Sequence, residues 1–111
     1  MAEGDDRTHI GERLRCLQHC ALYRRTIKLT CPSCGHIRRL DAVALWWMFE
    51  RKGWSDRLPG AYRRLYCDAC LVTAGRVFRP IAEITREQPD PEQPPYPDER
   101  EWKRVVSRYR S

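Results

Sequence analysis

The sequence is short of long apolar runs. Its longest is AVALWWMF, residues 42 to 49, well below the ~20 apolar residues a membrane-spanning helix needs. It lacks a secretory leader pattern: MAEGDDRTHIGERLR is polar, with no apolar stretch before a small-residue cleavage site. The expected location is therefore cytoplasmic, where thiols stay reduced. No Ser/His/Asp set, no pair of carboxylates placed for acid–base work and no phosphate-binding loop can be found; GRVFRP has a single glycine. The chain is accordingly expected not to be an enzyme. There is no internal repeat beyond two cysteine pairs.

What is present is small, polar and basic. The chain has 111 residues, of which 41% are hydrophobic and 32% charged, and a mean hydropathy of -0.73. A domain of that size and polarity has little apolar surface to bury and often relies on a covalent or metal staple. Six cysteines could supply one. The formal net charge is +6, with arginine the main contributor, which favours a polyanionic partner. The charge is segregated. Residues 24 to 79 hold twelve Lys or Arg against Asp41, Glu50, Asp56 and Asp68, a net +8, whereas residues 87 to 99 carry five acids and no base.

Cys31, Cys34, Cys67 and Cys70 form C-x2-C…C-x2-C. Two residues between cysteines allow a tight turn to aim both sulfurs at one point, and two such pairs complete a tetrahedral thiolate set with no open position, hence a structural Zn2+ site. Gly35 stands where such a turn needs a left-handed backbone. A dithiol redox site at CPSC would leave the second pair without a role, and a disulfide framework does not suit a reducing compartment. Cys16 and Cys20, with His19 in CLQHC, read as small buried apolar thiols rather than ligands. His36 reads as a neighbour of the first turn, and His9 as a spare candidate.

Periodicity places the pairs. Ile10, Leu14, Leu17 and Ala21 give a helical spacing from Ile10 to Tyr23, weakened by Gly11. RRTIKLTC alternates as a strand, and HIRRL returns as a second, making a hairpin around the first cysteine turn. Asp41 should cap a largely buried helix that ends at Gly53. Ser55 should cap a short second helix with Leu58, Ala61, Tyr62 and Leu65 inward and Pro59 in its first turn. VTAGRVFRPI, residues 72 to 81, reads as a strand. Residues 1–8 read as a disordered start and 9–86 as the zinc-binding domain. Residues 87–97, rich in proline, read as an extended solvated linker, and 98–111 as a helix capped by Asp98 with Trp102, Val105, Val106 and Tyr109 on one side. The expected fold is a small α+β, zinc-ribbon-like core of short antiparallel strands with an inserted helical hairpin and a C-terminal helix.

The stretch CPSCGHIRRLD…LPGAYRRLYCDAC, roughly residues 25 to 72, resembles small bacterial, chiefly alphaproteobacterial, zinc-ribbon or zinc-finger-like proteins. These carry C-x2-C-G-H, a leucine–aspartate helix start and R-R-L-x-C-x2-C. The resemblance implies a zinc site on the same four cysteines and carries little about activity. Such proteins often have glycine after the last cysteine; here Leu71 stands there.

Two functions compete. In the first, the metal site holds a scaffold whose Arg38, Arg39, Arg51, Lys52, Arg63 and Arg64 grip nucleic-acid phosphates, with the helix–turn–helix order between the cysteine pairs offering a second helix to a groove. In the second, the four tryptophans and the C-terminal helix face of Trp102, Val105, Val106 and Tyr109 serve a protein partner or a second copy.

Overall fold

A computed structural model describes residues 6–8 and 12–110. The chain builds a small α+β fold with four α-helices and a three-stranded antiparallel sheet. The elements run α1 (Leu17–Leu22), β1 (Thr26–Thr30), β2 (Ile37–Asp41), α2 (Ala42–Lys52), a 3-10 helix (Gly60–Arg64), α3 (Asp68–Ala74), β3 (Ile81–Thr85) and α4 (Glu99–Arg110). The sheet order is β2-β1-β3. The hairpin expected around the first cysteine pair is there, with Thr30 opposite Ile37 and Thr26 opposite Asp41.

The alternation read in TIKLT sets the two faces of the sheet. Ile27 and Leu29 turn inward with Leu40 and, across β3, Ile84 and Ala82. α2 seals this layer. Its first turn is capped by Asp41, whose Oδ1 accepts from the Val43 N–H at 2.9 Å, and its last by Gly53 at φ 70, a left-handed conformation suited to glycine. Between these caps Ala42, Val43, Ala44, Leu45, Trp46 and Phe49 are buried. Leu17, Cys20 and Ala21 of α1 pack into the same core.

The expected first helix is shorter than its spacing suggested. Ile10 lies outside the described residues, as do His9 and Gly11, and residues 12–15 are not helical. Their backbone is engaged elsewhere: the Leu14 N–H donates to the Asp6 carbonyl and the Leu58 N–H to the Arg15 carbonyl. α1 is then capped from across the fold, the Gln18 N–H donating to Asp56 Oδ2 at 2.9 Å. Asp6, Arg7 and Thr8, placed by sequence in a disordered start, are paired with residues 12–14; residues 1–5 lie outside the described set.

Three further expectations are corrected. Residues 72 to 81 do not form a strand. α3 reaches Ala74 and ends at Gly75, φ 64, and the third strand begins only at Ile81. The valines that suggested a strand are exposed, and the helical turn is what carries Cys70 back beside Cys67. The second helix of the supposed hairpin is a 3-10 helix of five residues; Gly60 opens it, a poor helix former next to a proline, so no second α-helix stands ready for a groove.

The proline-rich segment has no helix or strand until Glu99, as its composition requires, but it is not a free linker. It runs along the outer edge of β2. The Asp90 N–H donates to the Arg39 carbonyl, the Arg39 N–H to Asp90 Oδ2, and the Asp41 N–H to Gln93 Oε1. α4 follows, with Asp98 Oδ1 accepting from the Glu101 N–H at 2.8 Å. It folds back: Val105 is buried in the core, and Trp102 lies edge-on to Trp46 with 5.9 Å between ring centroids. Among the described residues no helix is long and apolar enough to cross a membrane.

Candidate metal centre

Cys31 and Cys34 occupy the turn between β1 and β2. The Cys31 N–H donates to the His36 carbonyl, and the Gly35 N–H to the Cys31 carbonyl, each at 2.9 Å. Gly35 takes φ 77, where a side chain would be strained. These bonds fold the loop so that both sulfurs face one way. Cys67 is held from the opposite side, its N–H donating to the Phe78 carbonyl at 2.9 Å. Its sulfur caps α3 by accepting from the Cys70 N–H at 3.4 Å.

The two turns bring four sulfurs together. Cys31 Sγ lies 3.6 Å from Cys70 Sγ, and Cys34 Sγ lies 3.6 Å from Cys67 Sγ. All four fall within 4.8 Å of one another. A disulfide would need about 2.05 Å between sulfurs; none of the six cysteines is in one. A tetrahedron of sulfurs each about 2.3 Å from a central ion has edges of about 3.8 Å, close to the separations found. Cys31, Cys67 and Cys70 are buried and Cys34 is exposed. Among the described residues this is the one group of three or more such side chains placed to hold a metal ion.

The thiols differ in acidity. The Cys34 N–H holds the Cys31 thiol down at about 7. Burial pushes Cys70 up to about 12, because a lone thiolate with little water around it is costly. A metal ion bound there would remove that conflict by pairing with every thiolate at once.

The other sequence candidates fall into place around this centre. The His36 side chain is exposed and outside the sulfur cluster. Cys20 is fully buried in the apolar core, which pushes its thiol up to about 12, and burial also raises half-buried Cys16. The His19 ring packs against Tyr109. None of these three belongs to the cluster.

The six cations expected to meet phosphate divide into two sets. Arg38 pairs with Asp68, tying β2 to the first turn of α3, and Arg39 pairs with Glu87 and Asp90 of the proline-rich segment. Arg51, Lys52, Arg63 and Arg64 are exposed and, among the described residues, form no ion pair. Lys52 and Arg64 flank Trp54, their charged ends 5.0 Å and 4.4 Å from its ring centroid. Trp54 entered the sequence reading only as one of the four tryptophans; its position between RK and RR was the signal for these contacts. On α4, Trp102 and Val105 face the core, Val106 is half-buried, and the Tyr109 hydroxyl lies 3.0 Å from that of Tyr23.

Comparison with known proteins gives no relative: no family model, no curated protein and no solved structure matches the chain.

Proposed function

We propose that the chain is a zinc-ribbon-like module in which one Zn2+, held by Cys31, Cys34, Cys67 and Cys70, is structural, and that it binds nucleic acid through the insert between the two cysteine pairs. The zinc assignment rests on the donor set. Four thiolates at tetrahedral spacing suit a soft or borderline ion and leave no position for a reacting water, so the site holds the fold rather than performing hydrolysis. Metal analysis of the purified protein, expected to give one zinc per chain, tests it; folded, metal-free protein would refute it.

The observation that carries nucleic-acid binding is the surface around Trp54. Arg51 and Lys52 end α2, and Arg63 and Arg64 end the 3-10 helix. Lys52 and Arg64 lie against the half-buried indole. Clustered, unpaired cations around an aromatic ring are what a sugar–phosphate backbone and an unstacked base require together. The short 3-10 helix favours a surface that follows a strand over a recognition helix in a duplex groove.

The competing adaptor reading loses ground, since Trp102 and Val105 are spent on the protein's own core. The test is a salt titration with labelled single-stranded DNA and RNA. Binding should fall steeply with salt, and Arg63→Ala with Arg64→Ala should flatten the slope by about two phosphate contacts. No binding at low salt would refute the reading.

A further inference from the structure

The two edges of the sheet are treated differently. Arg39 uses both its N–H and its carbonyl on Asp90 and Gln93, so these groups point away from β1. Antiparallel pairing then fixes the phase of the whole sheet. Lys28, opposite Arg39, turns its backbone groups toward β3 and pairs with Glu83. The neighbours Ala82 and Ile84 must therefore point their N–H and C=O groups outward. Nothing among the described residues bonds to them. An uncovered strand edge is a template for another extended chain.

That edge is flanked by other parts of the chain. It forms one wall of a groove of about 1060 Å3 whose other walls come from residues 13–15 and 57–62. Leu14, Leu58 and Tyr62 give it an apolar lining. Arg13, Arg15 and Arg57 stand around it, all exposed and none in an ion pair among the described residues. The acids on the groove, Asp6, Glu83 and Glu87, do not pair with them, and Glu87 is spent on Lys28 and Arg39.

The opposite edge shows what such a combination holds. There an extended, acidic stretch of the chain lies along β2, bonded to its backbone through Asp90 and Gln93, with Glu87 and Asp90 on Arg39. We infer that the groove beside β3 is a peptide-binding site that takes an extended acidic segment of a partner protein as an added strand, its backbone on Ala82 and Ile84 and its carboxylates on Arg13, Arg15 and Arg57. Strand addition is an established mode of peptide recognition: the edge supplies main-chain hydrogen bonds, and flanking pockets and charges select the sequence. A nucleic acid has no peptide groups to offer such an edge, so the exposed N–H and C=O pairs favour a peptide. The inference is independent of the nucleic-acid surface around Trp54.

The test uses the full, metal-loaded chain and a short fluorescent peptide alternating valine and glutamate. Its binding, read by anisotropy, should weaken with salt. Methylating the peptide nitrogens on one edge should weaken it by about tenfold or more, the loss of one or two good hydrogen bonds. Arg57→Glu and, as a second variant, Arg13→Glu should do the same, while Arg63→Ala should change little. On unmodified protein, the Ala82 and Ile84 amides should exchange more slowly once peptide is bound, a readout that needs no variant. A valine–lysine peptide should not bind. Absence of valine–glutamate binding, or binding indifferent to N-methylation, would overturn the inference. So would an oligothymidylate that shifts the Arg13, Arg15 and Arg57 signals where the peptide does not, which would give the groove to nucleic acid.

Discussion

The two halves of this protein are held by different forces. At one end, α2 lies against the sheet with α1 and α4 packed on it, and Phe49, Leu17, Ile27, Leu45 and Cys20 are fully buried in the shared core. At the other end, the buried residues are Cys31, Cys67 and Cys70, and the hydrophobics packed against them among the described residues are Ala69 and Phe78. α3 belongs to that second end, yet Leu71 is 40% and Val72 83% exposed. A seven-residue helix does not persist alone in water, and α3 has almost no apolar face to anchor it. The first end stands on burial; the second has four sulfurs placed to hold a metal ion. On the proposed reading, a small polar chain divides its stability between an apolar core and a metal staple.

Replacing sulfurs and replacing core side chains should break the molecule in different places. The largest effect is expected from Cys67→Ser. It removes a proposed metal ligand while leaving a hydroxyl that can still cap α3, and the metal-binding free energy at stake is on the order of 10 kcal/mol. Metal content should drop, and α3 and the Phe78 region should lose amide protection; unchanged metal stoichiometry would count against the ligand set. Phe49→Ala should cost about 3–5 kcal/mol, lowering the melting temperature of the whole protein while the folded fraction keeps its metal. Metal loss before melting would mean that the halves are not separable. Asp41→Ala should cost about 1 kcal/mol by uncapping α2, measured by denaturant titration.

The smallest effect concerns the segment along β2. The Arg39 guanidinium, then Lys28, holds the Glu87 carboxyl below the ordinary range. A carboxyl more acidic in the folded state stabilises fully above its unfolded value, and that contribution disappears as pH falls through the folded value. Glu87→Gln should therefore lower stability slightly at neutral pH and make no difference in acid, since partly exposed ion pairs contribute little. An equal effect at both pH values would contradict the pairing.

How much of this was legible in the sequence differs between the same two halves. The four cysteines declared themselves by spacing, the hairpin by the alternation of TIKLT, and α2 by Asp41 and Gly53, because each is a local signal. α3 was hidden. Its cap is a cysteine sulfur rather than a serine or aspartate, and Val72, with Val77 just beyond the helix, suggests a strand. The 3-10 helix was overestimated because Leu58, Ala61, Tyr62 and Leu65 keep helical spacing across a proline and a glycine that spoil the helix. The segment 87–97 was half legible: its composition excluded regular structure but could not say that Asp90 and Gln93 would find the edge of β2. The division of the arginines was also invisible, since the partners of Arg38 and Arg39 lie 30 and 51 residues away.

The division of labour between burial and sulfur is tested most directly by residue-resolved amide exchange with and without a strong chelator. Removing the metal should abolish protection at Cys67, Cys70 and Leu71 while Leu29, Leu45 and Phe49 keep theirs. Uniform loss across both ends, or protection of α3 that survives chelation, would contradict it.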